Sequence, residues 1–474
     1  MRSGKEDLVK FRIKHGADAE MENGDGHPRL HLAASLGHLE AIRTILRHGE
    51  NVNKVARKGY TALHIAANNG HVDVIKYLIS QGAEVNKGDN DGWTALHSAA
   101  NNGHVDVIKY LISQGAEVNK GDNDGWTALH SAANNGHVDV IKYLISQGAE
   151  VNKGDNDGWT ALHSAANNGY VDVIKYLISQ GAEVNKGDND GWTALHSAAN
   201  NGHVDVIKYL ISQGAEVNKG DNDGWTALHS AANNGHGDVI RYLISQGAEV
   251  NEGDNDGWTA LHSAANNGHF DVIKYLISQG ADVNRSDKGG QTALHIAAKN
   301  HHLDVVKYLI CQGTEANKGD NDGWTALHSA AKNDHLDVVK YLIAQGTEVN
   351  KGDNDGCTAL HSAAKNGHLD FIKYLISQGA EINGGNKDGQ SALHIAAKND
   401  HLNVIKLLIS QEAVVNRGDN DGQTALHIAA KNSYIDILKV LLANGARSDT
   451  EDKSGNIPIH YARDEPVRQI ISPR

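Results

Sequence analysis

Between Ala95 and Gln114 the apolar residues fall into two short helical stripes with a stop between them. Leu96, Ala99 and Ala100 follow the i, i+3, i+4 spacing of one helix face, and Val107, Ile108, Leu111 and Ile112 follow it again. Asn102-Gly103 and Gly115 read as helix stops, because glycine takes the left-handed backbone that ends a helix at little cost. Thr94 stands where an N-cap belongs, and His97 holds the place where a capping box usually has Glu or Gln. Asp106 lies at the positive end of the second helix. Val118 is expected to anchor the return, and the Asn-, Asp- and Gly-rich run 119–125 to form a tight turn or hairpin.

The 33 residues from Asp89 to Gly121 begin again, with few changes, at Asp122, Asp155, Asp188, Asp221 and Asp254. Looser copies start at Asn23, Ala56, Asp287, Asp320, Asp353, Asn386, Asp419 and Asp452. Neither stripe can be buried within its own copy, so neighbouring copies must stack and share a core. The period overrides the expectation of about three domains from length alone. The expected order is an N-terminal half-repeat cap over 1–22, thirteen stacked repeats over 23–451 and a shortened capping repeat over 452–474. In the first cap Leu8, Val9, Phe11 and Ile13 form the apolar side; in the last, Pro466 opens the second helix and Arg468 and Gln469 break the apolar pattern.

The pattern D-x-x-G-x-T-A-L-H-x-A-A-x-x-G-H-x-D-V-x-x-x-L-I-x-x-G-A-x-V-N resembles the ankyrin repeat over nearly the whole chain. It departs regularly in one place, carrying Ala95 and its equivalents where the family usually has proline; Pro28 keeps that proline. The resemblance implies an all-α ankyrin-repeat solenoid. Helix–turn–helix units would be joined by β-hairpin-like loops into a curved superhelix, with hairpin tips and first helices on its concave face. It implies a scaffold or adaptor that docks a partner protein along that face, and it marks Asn119 and its equivalents as candidates for hydroxylation.

Charge narrows the partner. The formal net charge is −14, and one copy carries Asp89, Asp91, Asp106 and Glu117 against Lys109 and Lys120. A phosphate-backbone binder needs a basic face, so nucleic acid is not expected. No apolar run approaches the roughly 20 residues that cross a bilayer, and residues 1–16 do not resemble a signal peptide. A monomeric cytoplasmic chain is therefore expected, with the nucleus left open. Cys311 and Cys357 fit neither a disulfide framework nor a zinc site.

Catalysis, cofactors and metals find no candidate. His97 and its equivalents recur once per repeat, too far apart to share an ion held at about 2 Å. The D-N-D-G turn, laid over a calcium loop, puts Lys87 first and Ser98 twelfth, where carboxylates are needed. Three rows remain as candidate partner contacts. All seven tryptophans fall at one repeat position: Trp93, Trp126, Trp159, Trp192, Trp225, Trp258 and Trp324. Asn101, Asn134, Asn167, Asn200 and Asn233 form the second row, with Asn102 and its equivalents beside it and the hairpin residues Asn90 and Asp91 and their equivalents nearby. Lys299, Lys332, Lys365, Lys398 and Lys431 replace that asparagine in the C-terminal third and would favour an acidic segment.

The tryptophan row also has a packing explanation. Every Trp copy has Ser one turn on, whereas the Tyr60, Gln291, Gln390 and Gln423 copies have Ile there. These are the two positions of a hydrophobic staple, and the exchange looks like compensating volume. As alternatives to a binding scaffold, the array could be a structural spacer or spring, or the recognition arm of a larger signalling protein.

Overall fold

A computed structural model of the chain describes residues 29–472. The half-repeat expected over 1–22, Pro28 and the last two residues lie outside the described residues. The chain divides into two compact units, 1–249 and 250–474. Among the described residues all regular secondary structure is helical, with only isolated bridges such as Gly121 to Thr127 between extended segments.

Among the described residues each unit is a stack of seven helix pairs. The first unit runs from Arg29–Ser35 with Leu39–Arg47 to Ala227–Asn233 with Gly237–Ser245. The second runs from Ala260–Asn267 with Phe270–Ser278 to Pro458–Tyr461 with Glu465–Ile471. In the repeat at Asp89 the two helices span Ala95–Asn101 and Val105–Ser113. Thr94 is extended (φ −99°, ψ 170°) and forms the expected reciprocal capping box. Its amide donates to His97 Nδ1 at 3.1 Å, while the His97 amide donates to its hydroxyl at 3.5 Å.

Leu96, Ala99, Ala100, Val107, Ile108 and Leu111 are buried, as the two stripes require. Because the alanines remove bulk, first helices pack against neighbouring first helices more extensively than second helices do on theirs. Val118 proves to be only half-buried; the return is anchored by Ala116, which lies against the end of the second helix. The Ala116 amide donates to the Leu111 carbonyl at 3.0 Å, which pulls this small residue inward and leaves Val118 on the flank.

The helix stops are glycines in the left-handed region, Gly103 at φ 76° and Gly115 at φ 88°. In the second unit the Gly103 position is held by His301, Asp334, Asp400 and Ser433, all at φ between 59° and 64°. L-residues pay a steric cost there, so those stops are strained where the earlier ones are not.

Candidate partner-binding face

Several polar side chains in each repeat hold its neighbours. His97 accepts the Thr94 amide at Nδ1, which leaves the proton on Nε2, and that N–H donates to the Trp126 carbonyl of the next repeat at 2.9 Å. The ring is buried, and burial lowers its pKa to about 4. The second histidine row reaches back the other way. His137, at the N-cap of its helix, donates from Nε2 to the Asn101 carbonyl at 3.0 Å.

Two asparagine ladders run beside these rings. The Asn135 amide donates to its own Ser131 carbonyl and to Asn101 Oδ1 of the preceding repeat, both at 2.9 Å. Asn119 bridges the outer loops, donating to the Gly148 carbonyl and accepting from the Glu150 amide, again at 2.9 Å. Lys153 is tied down as well, its ammonium donating to the Asn119 carbonyl at 2.7 Å.

The hairpin is a turn built on its first aspartate. Asp122 Oδ1 accepts the amides of Asp124 and Trp126 at 3.0 and 2.8 Å. Successive tips are then joined, the Asn156 amide donating to the Asp124 carbonyl at 2.8 Å and its side chain to the Asn123 carbonyl at 3.0 Å. The carboxylate of the second aspartate of the tip, as at Asp124, Asp157, Asp190 and Asp223, is left out of this network, on an exposed residue.

The tryptophans are half-buried, with one ring side on the capping histidine. Trp159 and His163 are 5.0 Å apart between centroids, at 32°. The packing partner one turn on is real, but its chemistry differs from a staple of matched volumes. Trp159 Nε1 donates to Ser164 Oγ at 3.1 Å and Trp192 Nε1 to Ser197 Oγ at 3.0 Å, while each serine also donates to its N-cap carbonyl. Serine at that position can accept the indole proton. The Ile copies put Tyr60, Gln291, Gln390 or Gln423 beside an isoleucine, which cannot accept a hydrogen bond.

In the first unit the structure brings several of these residues around one open cavity of about 550 Å³. Trp159 and Trp192 of the Trp row and Asn167 and Asn200 of the Asn row line it, together with Asp190 and Asp223 of the hairpin tips. Asp188, Asp221 and Ser197 join them and were not singled out beforehand. The Asp188 carboxyl is held above the usual carboxylate range by burial, and by the charges of Asp190 and Asp155 acting against the bonds from the Trp192 and Asp190 amides. Asn233 belongs to the same row but does not line this cavity.

The lysine row lies in the second unit, at the C-terminal ends of its first helices, where positive charge suits the helix dipole. Lys299, Lys332, Lys365, Lys398 and Lys431 are all exposed. Lys332 is the one that meets the tryptophan row, its ammonium 5.3 Å from the centroid of the Trp324 ring. No three His, Cys, Asp or Glu side chains converge as metal ligands among the described residues. No helix among them is long and apolar enough to cross a membrane.

The family model for ankyrin repeats, three copies long, matches in ten overlapping windows, from 1–89, 81–155 and 118–188 to 383–452 and 411–465. The chain belongs to the ankyrin repeat family. Among solved structures, it is similar to the crystal structure of the human ASB11 ankyrin repeat domain, at 30% identity, over 47% of this chain and 99% of that one. With a TM-score of 0.44, that likeness adds nothing to the family assignment. No curated protein matches the chain. Ankyrin repeats are in general protein–protein interaction modules.

Proposed function

We propose that this ankyrin-repeat chain is a scaffold that docks a partner protein on the face built from hairpin tips and first helices. One observation carries the reading: on that face half-buried indoles and exposed carboxylates surround an open cavity, beside histidine and asparagine side chains that are bonded to neighbouring repeats. Stacking sets these groups in place before binding, so association costs little ordering of the receptor. The Trp row, the Asn row and the hairpin aspartates supply the contacts in the first unit, and the lysine row gives the second unit a different preference.

A photo-crosslinking side chain at Asn167, on this face, tests the proposal against one at Gln180, at the end of a second helix. Discrete protein adducts from the Asn167 position alone support docking. A spacer or spring would give none from either position.

A further inference from the structure

We infer that the first unit receives an extended, cationic segment of its partner, with Arg or Lys at every third residue. The inference rests on the docking reading above and names the chemistry of the ligand.

The cavity wall is acidic and aromatic. Asp188, Asp190, Asp221 and Asp223 stand around Trp159 and Trp192. None of these four carboxylates takes part in an ion pair, whereas the second helices pair theirs internally, as in Asp172 with Lys175 at 3.4 Å and Asp205 with Lys208 at 3.5 Å. The turn lysines keep their charge but form no ion pair with the tips. Lys186 and Lys219 are held by the carbonyls of Asn152 and Asn185 at 2.6 and 2.7 Å. The face therefore presents a negative field against π-faces, the combination that attracts a guanidinium or ammonium.

The chain itself supplies the second observation. Trp324 is the one tryptophan whose repeat carries lysine in place of the Asn101-type residue, and there the Lys332 ammonium sits over the indole. The equivalent residues beside Trp159 and Trp192 are Asn167 and Asn200, which bring no charge. At these two rings the cation must come from another molecule.

Spacing follows from geometry. Stacked helices lie about 8–10 Å apart, and a segment in the polyproline II conformation, with three residues per turn at about 3.1 Å each, returns a side chain to the same face about every 9 Å. One cationic side chain per repeat therefore means one in every three residues.

The test uses the full chain and a fluorescein-labelled peptide of Arg-Ser-Ser triplets, against a peptide of the same composition with scrambled arginines. The periodic peptide is expected to bind at least ten-fold more tightly by anisotropy. In the triple variant Asp157→Asn, Asp190→Asn, Asp223→Asn that preference should vanish, with helicity and melting unchanged because these side chains take no part in stacking. A control triple on the second helices, Asp139→Asn, Asp172→Asn, Asp205→Asn, removes the same charge and should keep it. Equal binding of both peptides, or equal loss in both triples, would reduce the effect to attraction by net charge and overturn the inference. Crosslinking from Asn167 separates the two levels. Adducts without peptide preference reject the cationic ligand alone, and loss of both rejects docking as well.

Discussion

Lowering the pH should unfold the first unit through its buried histidines. His64, His97, His130, His163 and His196 all have pKa values lowered by burial, His97 and His163 to about 4. Each ring accepts the N-cap amide at Nδ1 and donates from Nε2, so a protonated ring would face that amide with a second N–H. Unfolded, the same side chains titrate near 6.5. The unfolded state then binds more protons below that pH, and stability must fall as pH drops from 6.5 towards 4, being intact above 6.5. For His97 alone the displacement corresponds to roughly 3 kcal/mol over that window. His97 and His163 each add a slope of about 1.4 kcal/mol per pH unit between those values, and the other three rings act in the same direction. Equilibrium urea melts of the full chain at pH 7.5 to 5.0 measure this directly. His163→Gln should lower stability at pH 7.5 by about 1 kcal/mol for the bonds Gln cannot restore, yet flatten the dependence by one proton. A midpoint that stays level between pH 7 and 5, or a slope unmoved by that variant, would refute the account.

Other substitutions separate the contacts. Gly125→Ala and Gly148→Ala both force alanine to a positive φ, 82° and 87°, which costs about 1–2 kcal/mol. Only at Gly125 would the new Cβ also meet Asn156, at 2.8 Å from Oδ1, so its thermal denaturation should show the larger loss. Trp192→Phe keeps a ring on His196 but removes the 3.0 Å bond to Ser197; a loss of about 1 kcal/mol is expected, and adding Ser197→Ala should cost little more. Asp334→Gly relieves a φ of 61° in the second unit and should raise its melting point, by the equivalent of about 0.5–1 kcal/mol.

The repeat, its two helices and its cap residues were legible because each depends on local chemistry repeated many times. His97 was readable as a capping residue, since Thr three residues before it fixes that geometry. Its second bond, to Trp126, was not, because the partner lies in the next repeat and nothing in one copy points to it. The Trp–Ser pairing was visible as a correlation but misread as volume, since a correlation carries no donor or acceptor label. The near-identical copies could not separate Asp188, which holds a turn, from Asp190, which faces outward. One divergent copy does: Asn386 replaces the first aspartate and still accepts the Asp388 and Gln390 amides through its side-chain oxygen.

The bonds between repeats have a consequence for how the chain finds its register. From Asp89 to Glu249 each helix pair offers its successor almost the same donors and acceptors, so a nascent pair could be clasped by the wrong sibling with hardly any loss of energy. Skipping one copy would eject an intact hairpin-and-helix loop and leave every remaining clasp closed. The odd residues, Tyr170 in place of a histidine, Gly237 in place of a valine and Arg241 in place of a lysine, are then the local marks that tell one link from another.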